Sequence, residues 1–96
     1  MALQPKFSII TVTYNAGDVI GHTLESVLSQ TYTNYEYLLI DGGSKDDTVE
    51  KAKASGIGFA HIVSERDKGI YDAMNKGIAL ATGDYLCFLN AGDAFY

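Results

Sequence analysis

No stretch of this chain stays apolar long enough to cross a bilayer. Its longest apolar runs, Tyr85–Leu89 among them, are a few residues long, against the roughly 18 that a span requires. Nor does the N-terminus, Met1-Ala2-Leu3-Gln4-Pro5-Lys6, set a basic region before an apolar one, so no secretion signal is read there. Cysteine is nearly absent. Cys87 stands alone and cannot close an internal disulfide, which suits a reducing cytosol. Basic charge is scarce as well: 7 lysines and arginines face 12 acids, for a net charge of −5. With no basic run to neutralise a phosphate backbone, a nucleic-acid partner is excluded. An acidic protein that binds a small anion needs something positive between them, and a divalent cation is the economical mediator.

Several motifs are missing too. There is no Gly-x-Gly-x-x-Gly after the first predicted strand and no Gly-x-x-x-x-Gly-Lys-Ser/Thr, which argues against a dinucleotide cofactor and a P-loop. No Cys/His spacing suggests zinc, and no Gly-x-Ser-x-Gly elbow suggests a hydrolase. What is present is a hydrophobic fraction of 47% in 96 residues. That is too high for a disordered chain and enough for one domain, residues 1–96, around one core.

Residues Phe7–Tyr14 are β-branched and aromatic on both faces, as in a strand covered on both sides. From Gly17 to about Gln30 the period changes. Ile20, Leu24, Val27 and Leu28 form a helical stripe, with Asp18 as a candidate N-cap. Thr31–Asn34 turns the chain into a second strand, Tyr35–Ile40. The two glycines of Asp41-Gly42-Gly43-Ser44 force a loop, and Ser44 with Asp47 resembles a capping box for a helix over Lys45–Ser55, ended by Gly56. Phe59–Ser64 reads as a third strand. Ile70, Met74, Ile78 and Ala81 mark a third helix closed by Gly83, and Tyr85–Leu89 is a fourth strand. This β-α-β-α-β-α-β alternation implies right-handed crossovers and a mostly parallel α/β sheet with helices on both faces, in strand order 3-2-1-4.

Open parallel sheets bind ligands at the carboxyl ends of their strands. Those ends carry Thr13, Tyr14 and Asn15; then Asp41; then Glu65, Arg66, Asp67 and Lys68; then Asn90, Gly92 and Asp93. Tyr14 can stack on a planar base, and Asp41, flanked by glycines that admit close approach, can accept a hydrogen bond from a base ring N–H. Asp93 can hold a hard divalent cation that bridges the oxygens of a diphosphate. Polar βα loops also occur in α/β proteins of every kind, where an Asp is most often a turn former or cap. Asp46 and Asp47 read as helix-start acids, Lys51 and Lys53 as a solvated face, His22 and His61 as surface or packing residues, and Cys87 as a buried structural residue.

Five blocks, in order, resemble glycosyltransferase family 2. They are Ser8–Asn15; Ser26-Val27-Leu28-Ser29-Gln30-Thr31-Tyr32; Tyr35–Ser44 with Asp46 and Thr48; Lys68–Ile78; and Ala81-Thr82-Gly83-Asp84-Tyr85. The fourth and fifth are similar to a branch that builds sugar polymers of bacterial envelopes. The resemblance implies a Rossmann-like GT-A nucleotide-binding half and transfer of a sugar from a nucleoside-diphosphate donor, a UDP-sugar first among them, to a hydroxyl of an acceptor glycan or lipid-linked sugar. It implies that Thr11, Thr13, Tyr14 and Asn15 line the base and ribose pocket, that Asp41 binds the base, and that Asp67 lies at the pocket's edge. The turn after the fourth strand is where the family keeps an Asp-x-Asp motif for Mn or Mg.

The chain departs from the family pattern in two places. Leu89-Asn90-Ala91-Gly92-Asp93 stands where Leu-Asp-x-Asp-Asp is common, leaving Asp93 as the metal residue. Ala73-Met74-Asn75 stands where Ala-Arg-Asn is common, so Lys76 or Arg66 takes over contact with phosphate. In the family, the carboxylate general base follows the metal motif. On that pattern it lies outside this chain, which is expected to be a truncated donor domain without the acceptor-binding part. The expected setting is cytoplasmic, at the inner membrane face in the full-length protein, with self-association covering the apolar sheet edge. The alternatives are a non-catalytic nucleotide-binding fragment and an oligomerising structural remnant.

Overall fold

The computed structural model describes residues 5–29 and 34–91. The expected N-terminal sequence through Gln4, the helix end at Gln30, the turn over Thr31–Thr33, and Gly92 and Asp93 lie outside the described residues. The seven elements follow in order as β1 (Phe7–Thr13), α1 (Ile20–Ser29), β2 (Tyr35–Asp41), α2 (Thr48–Ala54), β3 (His61–Ser64), α3 (Ile70–Leu80) and β4 (Tyr85–Phe88). All pair in parallel, in the expected order β3-β2-β1-β4.

The two central strands are apolar on both sides because helices cover both sides. On one face Ile9, Tyr37 and Leu39 of the sheet meet Ile20, Leu24 and Val27 of α1 and Ala52 of α2. On the other, Ile10, Leu38 and Ile40 meet Ala73 of α3. Tyr37 stacks on Phe59, with ring centroids 5.0 Å apart. Its buried hydroxyl pairs with Thr11 Oγ1 at 2.5 Å, and burial pushes its pKa up to about 12 although that hydrogen bond opposes the shift.

Several local expectations are corrected. Helix α2 starts at Thr48 rather than Lys45, without the capping box. Ser44 donates its hydroxyl to Asp41, and Asp47 makes no side-chain cap bond. Asp46 does that work instead. It accepts the Thr48 and Gly17 amides at 3.1 and 3.0 Å and so joins the starts of α2 and α1. The turn into α1 is closed by the Ala16 carbonyl, which accepts from Val19 and Ile20, while Asp18 stays exposed.

Helix α3 buries Ala73 and Gly77, not the Ile70–Ile78 stripe, both of whose isoleucines are exposed. A Cβ at Gly77 would stand 2.7 Å from Ile10 Cγ2, so the missing side chain is what lets the helix lie so close to β1. The helix ends at Ala81, whose backbone is extended. Gly83 instead packs against β1, where a Cβ would come 2.6 Å from Ser8 Oγ. Cys87 is half-buried at the margin of the core.

Candidate functional site

At the carboxyl end of the sheet lies an open cleft of about 670 Å³, within the usual size range of small-ligand sites. Val12, Thr13 and Tyr14 form one wall, Gly42, Gly43 and Lys45 the floor after β2, and Arg66 and Asp67 the wall after β3. Gly69, Ile70 and Ala73 close it at the start of α3. Three strand ends thus converge as expected. Among the described residues the fourth contributes none to the lining; Asn90 is exposed, and its carbonyl accepts from Thr23 Oγ1 at 3.3 Å.

Asp41 is the structural centre of this end of the sheet, and its side chain is turned inward. Its Oδ1 accepts from Thr13 Oγ1 at 2.7 Å and Ser44 Oγ at 2.5 Å. Its Oδ2 accepts from the Gly43 amide at 3.1 Å, the Ser44 amide at 2.7 Å and Ser64 Oγ at 2.9 Å. A carboxylate has about four lone-pair sites, so five donors leave none for a ligand, and the residue is 1% exposed. Burial pushes its pKa up. The bonds from Ser44, Thr13 and Ser64 outweigh that effect and hold it below the ordinary aspartate value, so it stays ionised.

The same network fastens the two loops together. Asn15, in a left-handed conformation at φ 49°, donates its amide to Ser44 Oγ at 2.7 Å and accepts from the Lys45 amide through Oδ1 at 2.8 Å. The Ala16 amide donates to Thr48 Oγ1 at 2.9 Å. Tyr14, beside Asn15, is therefore held by its backbone while its ring is 60% exposed over the cleft.

The placement of the remaining expected residues is mixed. Thr11 is fully buried and bonded to Tyr37, so it cannot line a pocket. Thr13 reaches the cleft wall, but its hydroxyl is committed to Asp41. Asp67 lines the cleft and is half-buried, with Oδ1 accepting from the Gly69 amide at 3.0 Å. Its Oδ2 receives no hydrogen bond from the described residues, and a Cβ built on Gly42 would lie 2.9 Å from it.

Among the cations, Lys76 pairs with Glu65 at 3.1 Å and Asp72 at 3.7 Å and is not among the residues lining the cleft. Arg66 lines the cleft and makes no ion pair among the described residues. Lys45 does the same, and the sequence reading missed it: one loop lysine carries no pattern to distinguish it. No cluster of three or more His, Cys, Asp or Glu side chains fit to hold a metal occurs among the described residues.

Fold and cleft together define a Rossmann-like α/β domain with its site at the carboxyl ends of a parallel sheet. The family model for glycosyl transferase family 2 matches residues 8–96, and the chain belongs to that family. It is 44% identical to the PGL/p-HBAD biosynthesis glycosyltransferase of Mycobacterium bovis over 96% of its length, spanning 37% of that protein. Its fold is similar to that of the mannosyltransferase PcManGT from Pyrobaculum calidifontis, solved in complex with GDP-Man and Mn2+. The TM-score is 0.88 at 21% identity, covering 97% of this chain and 29% of the other. It is also similar to glucosyl-3-phosphoglycerate synthase from Mycobacterium tuberculosis, solved with Mn2+, UDP and glucosyl-3-phosphoglycerate. There the TM-score is 0.77 at 25% identity, covering 91% and 33% of the two chains. These neighbours are GT-A glycosyltransferases, and the GT-A class is the fold of this chain. No helix among the described residues is long and apolar enough to cross a membrane.

Proposed function

We propose that this chain is the donor-binding domain, residues 1–96, of a family 2 glycosyltransferase whose acceptor-binding part is not in these residues. It binds a nucleoside-diphosphate sugar, a UDP-sugar first among them. The observation that carries this reading is the cleft itself: an exposed aromatic ring on a braced loop faces a carboxylate wall, with two uncommitted cations alongside. Tyr14 supplies a stacking surface for the base, and Lys45 and Arg66 offset the charge of an anionic ligand in a protein of net charge −5. Thr13, Asn15 and Asp41 act as braces rather than contacts. Their hydrogen bonds keep the cleft in its binding shape without ligand, so little ordering cost remains at binding.

A divalent cation, Mn or Mg, accompanies the donor, as Mn2+ does in glucosyl-3-phosphoglycerate synthase, and Asp93 is the carboxylate assigned to it. The acceptor is a glycan or lipid-linked sugar of bacterial envelope biosynthesis, as the family resemblance of the fourth and fifth sequence blocks implies. The setting is the cytoplasmic side of the membrane. The chain also self-associates. Leu86 and Phe88 of β4 are exposed, and β4 ends the sheet among the described residues. A second copy, pairing β4 with β4 antiparallel about a two-fold axis, satisfies both the edge and its apolar side chains.

Calorimetric titration of the chain with UDP, with and without Mn2+, tests the donor reading. Binding is expected, stronger with the metal, and weakened roughly tenfold or more by Tyr14→Ala, since base–aromatic stacking contributes about 1–3 kcal/mol. A folded sample that binds none of UDP, GDP and dTDP refutes it.

A further inference from the structure

We infer that Lys51 and Asp46 are positioning residues for the donor: together they clamp the backbone of Gly17 and so hold the loop that carries Tyr14. The inference rests on the donor-binding reading above and adds to it what keeps the stacking ring in place.

The ring of Tyr14 is 60% exposed, so little packing fixes it and its placement falls to the backbone on either side. Ahead of it, the Thr13 carbonyl accepts from the Gly42 amide at 2.9 Å. Behind it, Asn15 is bonded to Ser44 and Lys45. Those partners lie in the loop after β2, which begins with two glycines. A helix is a firmer anchor, and the chain reaches α2 at Ala16 and Gly17. The Ala16 amide donates to Thr48 Oγ1 at 2.9 Å, and the Thr48 hydroxyl in turn donates to Asp46 Oδ1.

Both polar groups of the Gly17 backbone are held. Its amide donates to Asp46 Oδ2 at 3.0 Å, and its carbonyl accepts from Lys51 Nζ at 2.6 Å. The ammonium of Lys51 also faces Asp47 Oδ2 at 3.6 Å, one helical turn back, which directs it toward the start of the helix. The fit is close: a Cβ on Gly17 would run into Asp47 Oδ1 and stand 3.0 Å from Asp46 Oδ2. A glycine between Tyr14 and Ile20, where α1 begins, is the place at which this loop could swing. The clamp removes that freedom. The sequence alone reads Lys51 as part of a solvated face; the fold sends its ammonium to the neighbouring loop. Without the clamp, a base that stacks on Tyr14 must order the loop at its own cost.

Calorimetric titration of the chain and its variants with UDP tests this. Lys51→Met keeps the aliphatic stem and the helix propensity and removes the ammonium. It should bind UDP roughly three- to tenfold more weakly, the cost of ordering one released side chain at binding. Lys53→Met removes the same charge from an exposed position of the same helix and should leave the affinity unchanged. Asp46→Asn leaves one acceptor oxygen for two directions and should weaken UDP as well. Joined to Lys51→Met, it should cost less than the product of the two losses, because both act through Gly17. Hydrogen exchange followed by NMR supplies a second readout. In Lys51→Met the Asn15 and Gly17 amides should exchange about threefold faster or more, while the amides of β1 and β2 keep their rates. An undiminished UDP affinity in folded Lys51→Met, an equal loss in Lys53→Met, or full multiplication of the two losses overturns the assignment. So does exchange at Gly17 that is unchanged or rises only together with that of β1 and β2. The donor reading survives each of these results. An unmodified chain that binds none of UDP, GDP and dTDP overturns the donor reading and this inference with it.

Discussion

Glu36 lies at the amino end of the sheet, opposite the cleft, and its side chain is only 10% exposed. Its Oε2 accepts from Ser8 Oγ and from the Thr82 amide, both at 2.6 Å. Its Oε1 accepts from Thr82 Oγ1 at 3.0 Å and faces Lys6 Nζ at 3.6 Å. One carboxylate thereby ties β1 and β2 to the connection between α3 and β4. Burial pushes the Glu36 pKa up, but the hydrogen bonds from Ser8 and Thr82, with the Lys6 charge, outweigh it. The pKa falls from the ordinary 4.5 to about 2.

A pKa lowered by folding means that the folded state favours the ionised form. The stabilisation is therefore complete above about pH 5 and lost as pH falls toward 2. At about 1.4 kcal/mol per pH unit, the drop from 4.5 to about 2 corresponds to about 3 kcal/mol. That is a large share of the roughly 5–15 kcal/mol that stabilises a domain. Glu36→Gln keeps the volume but sets an NH2 group against the donors of Ser8 and Thr82. Urea unfolding followed by circular dichroism should show a loss of about 2–3 kcal/mol at pH 7, equivalent to a melting-temperature drop of roughly 10–20 °C. Asp41 and Asp46, also held below the ordinary value, contribute acid sensitivity to both proteins, so the difference between the two curves isolates Glu36. That difference should shrink steadily between pH 5 and pH 3. Two parallel curves across this range would refute the account.

Two further outcomes follow from packing. Gly77→Val drives its Cβ to within 2.7 Å of the buried Ile10 and should destabilise the fold by about 1–3 kcal/mol. Gly21→Ala, in a helix position with no neighbour within 4 Å, should stabilise it by up to about 1 kcal/mol; thermal melts of equal depth for both variants would sink the argument. Static light scattering should find the chain dimeric at high concentration, with Leu86→Lys shifting it toward monomer. A wild-type monomer throughout refutes pairing through β4.

Local periodicity already carried most of the fold. Short strand-like runs over 7–14 and 35–40, a helical stripe at Ile20, Leu24 and Val27, and turn glycines at 42 and 43 are short-range signals. Right-handed crossovers then leave few arrangements, which is why even the order β3-β2-β1-β4 was legible. So was the edge of the sheet that carries the cleft. The division of labour among its polar residues was not. Asp41 and Asp67 look alike in sequence, each in the polar stretch at or after a strand with a glycine one or two residues on. Only the folded chain brings Thr13 and Ser64 onto Asp41 and leaves one oxygen of Asp67 open. The same capture of Ser44 by Asp41 removed the capping box, and the close approach of Gly77 to Ile10 turned the expected stripe of α3 outward. Periodicity is written within a dozen neighbouring residues. A hydrogen-bond partner or a missing Cβ acquires meaning only when segments distant in the chain arrive beside it.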